Sequence, residues 1–331
     1  MIDVANVSYN VIVVTENNAH IDITNAVESL GWEENDGELA MKLTFDLFNA
    51  ELNGSRISSV VKIGCLVAVQ ARWGSGSGTV AYCKIIEAEV TNAGTDHKFR
   101  VVAYDCLYDL QKSQDNVYFP SGKKTKYILT AILKSWSLKI DKYTGADVKH
   151  SKVLEKNKNL SDIILSILSD AKKKGGTTSI IRADKGKIQI LKVGSNSDVY
   201  VFTESNSTSM KNKRSVADIV TRVRVVSSSK SSSKAKIEAT VNGKTEYGIR
   251  QKIVTKSKSE KLSDAKKEAK EILSEKGNPQ DTRELAAPDV PCIRKGDKVC
   301  VSFGKETYYI VKSIQHNANK KLMTMKLDVE K

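Results

Sequence analysis

Proline is scarce: 4 in 331 residues, the first of them Pro120, and the other three clustered at 279, 288 and 291. Aromatic residues are only 6% and are not interleaved with the lysine-rich runs KKTK, KKK and KNKR. Single-stranded nucleic acid is bound by bases stacking on aromatics between cationic groups, so that class is disfavoured. Lysine also dominates over arginine, whose forked guanidinium is the usual reader of bases. No run approaches the roughly 18 apolar residues of a membrane helix. The opening MIDVANVSYN has no basic segment leading into an apolar one, so neither a membrane anchor nor a secretory leader is expected. Five cysteines, at 65, 83, 106, 292 and 300, are odd in number and have no C-x-x-C spacing. That pattern excludes a disulfide framework and points to a reducing compartment, with the thiols as small buried hydrophobes. His20, His97, His150 and His316 each stand alone, without the i, i+4 partner or nearby cysteine pair of a zinc site. They read as ordinary loop or strand-end residues, with no metal or cofactor expected.

Apolar residues at 40% and charged residues at 28% allow sizeable cores, and the length suits two or three domains. The net charge of +14 is unevenly placed. Residues 1–110 hold 7 basic and 15 acidic side chains, and residues 111–331 the other 46 and 24. An acidic head joined to a basic body suits a molecule with different partners at its two ends, more than a uniformly basic clamp on nucleic acid.

The first 110 residues read as β structure. Leu39, Met41, Leu43, Phe45 and Leu47 alternate with Ala40, Lys42, Thr44 and Asp46, the period of a half-buried strand. The runs VVKIGCLVAVQAR, TVAYCKIIEAEV and KFRVVAYD follow, separated by the turn-like WGSGSG and TNAGTD. Residues 111–215 mix types. Tyr127, Ile128, Ala131, Ile132 and Leu133 predict one helical face, followed by Trp136. A second helix is predicted from about Ser161, as cap, to Lys174, stopped by Gly175-Gly176. SIIRADKGKIQILKV predicts a hairpin turning at Asp184-Lys185-Gly186, and VYVFTES a short strand. Residues 216–331 return to strands in DIVTRVRVV, KIEATV and YGIRQKIV, broken by the polar loop SSSKSSSK at 227–234. A helix capped by Ser263 then carries Ala265, Ala269, Ile272 and Leu273 on one face and stops at Gly277.

Three closing segments echo the end of the first domain. VKIGCLVAVQ matches IRKGDKVCVSF, AYCKIIEAEV matches YYIVKSIQHN, and KFRVVAYD matches KLMTMKLDV, with Gly64, Tyr82 and Phe99 answering to Gly296, Tyr309 and Met323. Any two antiparallel meanders look alike at this level. The sharper reading is two related β-barrels in one chain, which would let a trimer present six similar modules in a ring.

Catalytic signatures are lacking. The glycines of WGSGSGTV precede a strand, whereas a phosphate loop needs a helix there. Residues 111–215 contain only two glutamates, Glu155 and Glu204, a poor supply for a glycosidase pair. There is no G-x-S-x-G elbow and no H-E-x-x-H helix. No enzyme is expected; a cell-wall hydrolase is the alternative, and a basic nucleic-acid-binding module a weaker one.

The ordered series FRVVAYDCLYDLQKSQDNVYF, NLSDIILSILSDAKKKGG, VADIVTRVRVV, YGIRQKIVTKS and IRKGDKVCV resembles the hub proteins of PBSX-type prophage tails. Related hubs occur in contractile-tail phages and R-type bacteriocins. The resemblance runs from about Leu39 to Asp328. It implies a mainly β chain with an α+β middle region: a first tube-like antiparallel β-barrel over 1–110, a platform over 111–215, and a second barrel over 216–331. Three such chains would form a pseudo-sixfold ring seated between the sixfold tail tube and the threefold spike. The implied partners are two further copies, the tail tube protein, the central spike protein, other baseplate proteins and the tape measure protein, with no membrane and no specific nucleic acid. Assembly in the bacterial cytoplasm and release at lysis are implied as well. Tyr82, Lys84, Ile86, Tyr308, Ile310 and Lys312 are the expected subunit-contact residues, and the helix at about 263–276 is expected to dock on a neighbouring barrel or tube ring.

Overall fold

The structure, a computed structural model, describes residues 6–329 apart from 49–50, 53, 75, 94–95, 229–234 and 258–260. The centre of the expected TNAGTD loop and most of the Ser/Lys loop therefore lie outside the described residues. The chain divides into two compact units, one comprising residues 1–210 and 284–331 and the other Lys211–Arg283. These boundaries differ from the expected breaks after residues 110 and 215. The first meander, the middle region and the last meander share one unit, because strand pairing links them.

Thirteen strands form the main sheet among the described residues. They are β1 (Ser8–Val14), β2 (His20–Asp22), β3 (Val27–Glu34), β4 (Lys42–Phe48), β5 (Leu66–Trp73), β6 (Gly76–Ala93) and β7 (Asp96–Tyr104). Then come β8 (Tyr200–Thr203), β9 (Ser209–Ser215), β10 (Gln280–Pro288), β11 (Lys298–Phe303), β12 (Lys305–Asn317) and β13 (Leu322–Val329). Their order is β9-β10-β13-β12-β3-β4-β7-β6-β5-β1-β2, with β11 beside β12 and β8 parallel to β11. The mainly β architecture of antiparallel meanders is as expected. The two meanders join edge to edge, and among the described residues no pairing closes either into a separate barrel.

The alternation read from the sequence positions the first core. Met41, Leu43, Phe45 and Leu47 are buried with Val67, Val69, Cys83, Ile85, Phe99 and Val101, since successive side chains of a strand face opposite ways. The last meander has its own core of Leu285, Val299, Val301, Val311, Met323, Met325 and Leu327.

The internal echo is real, and the backbone settles its register. Gly64 and Gly296 both have left-handed φ, +93° and +90°, a conformation that strongly favours glycine. The amide of Gly64 donates to Ile85 O at 2.9 Å, and that of Gly296 to Val311 O at 2.8 Å. In return Ile85 donates to Cys65 O, and Val311 to Asp297 O, both at 2.9 Å. Pairing breaks at the next residue in each case, so Ile86 and Lys312 are equivalent bulge residues. Ile85 thus corresponds to Val311, and Phe99 to Met323 as expected. Tyr82 corresponds to Tyr308, not to Tyr309, because Leu66↔Lys84 in one module answers to Lys298↔Ile310 in the other. The equivalence extends through the order β3, β4, β5, β6, β7 against β9, β10, β11, β12, β13. In chain order, residues 216–279 stand where the short β3–β4 connection does.

The middle region packs α1 (Thr125–Ser135) and α2 (Leu160–Lys173) around Ile128, Leu129, Ile132, Leu133, Ile163, Ile164, Ile167 and Leu168. Tyr127 leaves the expected apolar face and is 53% exposed; Leu129 takes its place. Ser161 does not cap α2, which begins one residue earlier after Asn159, with Ser161 itself buried. The Asp184-Lys185-Gly186 hairpin forms as expected, with φ of 47° and 77° at its last two residues, the signature of a tight primed turn.

In the second unit, strands Arg222–Ser227, Ile237–Asn242 and Gln251–Lys256 form a sheet with the first of them central. Helix α3 (Leu262–Lys276) follows Lys261, so Ser263 is not its cap. Ala265 and Ala269 are buried against Val223, Val225 and Val254. The apolar face of α3 thus covers this sheet.

Candidate functional site: the joint between two β modules

The two modules meet where β12 pairs antiparallel with β3, in the register Ile314↔Glu34, Gln315↔Glu33, His316↔Trp32 and Asn317↔Gly31. Close approach is built in at Gly31, where a Cβ would lie 2.8 Å from the His316 carbonyl oxygen. A side chain there would wedge the strands apart.

Two polar constellations flank this joint. In the first, the imidazole of His316 is buried and stacked on Trp32, with ring centroids 4.6 Å apart. Its Nδ1 lies 2.6 Å from Asp289 Oδ1 and its Nε2 3.1 Å from Ile293 O. Tyr9 donates its hydroxyl to the other oxygen of Asp289. Burial, then the charge of Asp289, pushes the Tyr9 phenol well above its usual range.

The second constellation is ionic. Arg294 donates to both oxygens of Glu34, at 2.8 and 3.2 Å, and to Ala183 O at 2.6 Å. The Lys295 amide donates to Glu34 at 3.1 Å, while its Nζ donates to the carbonyls of Asn35 and Glu38 at 2.9 and 2.6 Å. Arg182 donates to Asp297 at 2.9 Å, and Asp297 accepts the Arg294 amide at 2.9 Å. Asp105 accepts the amides of Met41 and Leu107 at 3.1 and 3.0 Å. Three acids thus face three bases across the first module, the middle region and the last module.

Electrostatics follows from burial and pairing. Burial opposes the Glu34 charge, but Arg294, with Lys295 and Arg182, outweighs it and holds the carboxyl at about 2. For Asp105 burial wins over the amides of Met41 and Leu107 and the charge of Arg294, and pushes it up to about 6. Burial also lowers Lys295 and raises Asp297, in each case against favourable neighbouring charges. The arrangement is a charge-balanced clasp. Glu34 pairs with Arg294 and Asp297 with Arg182, while the Asp105 carboxyl and the Lys295 ammonium are held by backbone amides and carbonyls.

Sequence reasoning missed this clasp. One signal was present. Where the first module has Lys62-Ile63-Gly64-Cys65, the second has Arg294-Lys295-Gly296-Asp297, and the extra charges mark a turn that must find buried partners. Two histidines also depart from expectation. His316 is buried as described, and His150 is buried with Nδ1 2.7 Å from Asp170 and Nε2 2.8 Å from Thr125. Among the described residues no cluster of metal-ligating side chains forms. Cys65, Cys83 and Cys300 are buried, and Cys106 and Cys292 half-buried; burial pushes the Cys106 thiol up to about 12.

The six expected contact residues form three equivalent pairs, Tyr82 with Tyr308, Lys84 with Ile310 and Ile86 with Lys312. Tyr82 is half-buried, and a Cβ at Gly186 would come within 3.6 Å of its ring. It lines a cavity of about 160 Å³ with Asp105, Arg182 and Arg294. Tyr308 is 46% exposed, beneath the Lys298 ammonium. Lys312 reaches Asp36 at 3.1 Å.

A two-module chain with its halves joined in one sheet can be compared with known proteins. The YqbQ-like family model matches residues 30–330. The chain belongs to the YqbQ-like family. It is 25% identical over 242 residues to the uncharacterized protein YqbQ of Bacillus subtilis (strain 168), covering 71% of this chain and 73% of that protein. Its fold is shared with a tail protein from Neisseria meningitidis MC58, with a TM-score of 0.67 and 12% identity over 97% of this chain and 96% of that one. The 43 kDa tail protein of prophage MuSo2 from Shewanella oneidensis is similar too, with a TM-score of 0.66 and 12% identity over 97% and 98% of the two chains. This YqbQ-like chain thus has the fold of phage tail proteins, and no helix among its described residues is long and apolar enough to cross a membrane.

Proposed function

We propose that the protein is the structural baseplate hub of a contractile phage tail or tail-like particle, adapting the sixfold tail tube to the threefold central spike. The observation that carries this reading is the equivalence of the two modules, down to the Gly64/Gly296 turns and the Ile86/Lys312 bulges. Three chains with two such modules each supply six similar units to a ring, matching a sixfold tube above while keeping true threefold symmetry for a spike below. The role is mechanical rather than catalytic. The buried clasp at Glu34, Arg294 and Asp297 holds the modules of one chain in fixed register, as a ring transmitting force requires. The tail tube protein, the spike protein and other baseplate proteins are the partners on this reading, and the tape measure protein is a further one.

Light scattering of the purified protein tests the reading, alone and with the spike protein of the same particle. A trimer at three times the 36.4 kDa chain mass, seen end-on as a six-lobed ring by electron microscopy, is expected. A chain that stays monomeric in both conditions overturns it.

A further inference from the structure

The joint inside the chain shows how two modules connect, and by equivalence how the next connection is made. Strand β12 uses its first half to pair β11 and its second half to pair β13, which leaves the β11-side edge of Ile314–Asn317 open for β3. Strand β6 is built alike: residues 76–84 pair β5 and residues 84–93 pair β7. The segment equivalent to Ile314–Asn317 is Ala88–Thr91, and no strand of the same chain pairs its β5-side edge among the described residues. Glu89, Val90 and Thr91 are exposed, Val90 to 45%.

The strand equivalent to β3 is β9. Among the described residues it ends the sheet beside β10, and its residues 211–214 are exposed, with Arg214 reaching Asp281 at 3.6 Å. An open, two-sided edge strand is a template for strand addition.

Resting on the trimer reading above, we infer that β9 of one copy adds antiparallel to the Ala88–Thr91 edge of β6 in the next copy, repeating the β3–β12 joint between chains. The register follows from the core. Met210 packs against the core of its module, and taking it as the counterpart of Leu30 in the other aligns Lys213 with Glu33. Glu33 faces Gln315 within the chain, and Gln315 is equivalent to Glu89. Lys213 of one copy therefore faces Glu89 of the next. In this register Lys213–Glu89 is the opposite-charge pair; Lys211 faces Thr91, and Arg214, which pairs with Asp281 of its own chain, faces Ala88. Cross-strand pairs of opposite charge support this pairing, and like charges oppose the alternative in which identical modules meet.

The test is a double-cysteine chain, Glu89→Cys with Lys213→Cys, treated with mild oxidant or a short thiol cross-linker after the wild-type assembly state has been measured. Covalent dimers and trimers are expected, absent from either single variant and from Val90→Cys with Lys213→Cys, which face opposite sides. A wild-type trimer that yields no covalent species overturns the joint and leaves the hub reading standing. A wild-type chain that never trimerises removes both. Charge reversal gives a second reading of the same seam. Glu89→Lys and Lys213→Glu should each weaken trimerisation by roughly tenfold or more, and together restore it, with three joints per ring summing modest pair energies. Additive loss in the combined variant also overturns the pairing.

Discussion

Glu34 and Arg294 lie 260 residues apart in sequence and meet through two hydrogen bonds of 2.8 and 3.2 Å at the buried end of the strand pair that unites the two modules. Glu34 is 2% exposed, so its carboxylate has no ready alternative partner in water.

Removing one member of this pair should be far costlier than a surface change. Glu34→Ala leaves Arg294 and the Lys295 amide facing an apolar gap, and a loss of roughly 3–5 kcal/mol is expected in denaturant unfolding. Replacing Glu33, half-exposed and 3.7 Å from Lys42, should cost about 1 kcal/mol or less. Equal losses for the two would count against the clasp.

Acid should weaken the protein through the same carboxylate. Glu34 is held at about 2 when folded against an ordinary 4.5, so its contribution is fully present above about pH 4.5 and is lost as pH falls toward 2. Its size is on the order of 3 kcal/mol. Asp105 acts with the opposite sign. Raised to about 6 from 3.8, it binds its proton more tightly in the folded state, so stability declines as pH rises from about 4 to 6. Unfolding free energy measured across pH should therefore peak between the two windows, and Glu34→Gln should flatten the acid limb.

At the joint, Gly31→Val should push β3 off β12, because even a Cβ would sit 2.8 Å from the His316 oxygen. Hydrogen exchange of the amides at 314–317 should accelerate strongly, with much smaller change at β5 and β6. Unchanged protection would mean that this edge is not closely packed.

The equivalent turn glycines should respond unequally to alanine. Gly64 has open space around a new Cβ, whereas at Gly296 it would meet Ile180 at 2.8 and 2.9 Å. Both pay the left-handed backbone cost of about 1–2 kcal/mol, and Gly296→Ala adds a clash with the middle region. Thermal unfolding should therefore rank Gly296→Ala as the worse.

Breaking the imidazole bridge should also be measurable. Asp289→Ala strands a buried ring nitrogen of His316 and the Tyr9 hydroxyl, at a cost of roughly 1–3 kcal/mol. Tyr9→Phe, which leaves the His316–Asp289 contact in place, should cost less by chemical denaturation.

Much of the local structure was legible in the chain. The β alternation at Met41, Leu43, Phe45 and Leu47, the turn at Lys185-Gly186 and the helix stops at Gly175 and Gly277 depend on neighbours a few residues apart, so periodicity and glycine placement carry them. Helix starts were misplaced at Ser161 and Ser263 because each helix begins one residue earlier and a serine inside the first turn looks like a cap. The echo was legible in order but slipped by one at Tyr309. The three matched segments carry different loop lengths, and letters alone cannot tell which tyrosine faces Ala68 or Cys300; the hydrogen bonds can.

The amino-acid order by itself determined which segments become strands and helices, that two meanders share one plan, and that acidic and basic charge lie at opposite ends. Tertiary structure alone decided that β3 pairs β12, that β8 joins β11 in parallel, and that Glu34, Asp105, Arg182, Arg294 and Asp297 converge. Those contacts join residues separated by tens to hundreds of positions, and no local propensity encodes them. They form because an open strand edge needs a partner for its amides and carbonyls, and a buried charge needs its opposite.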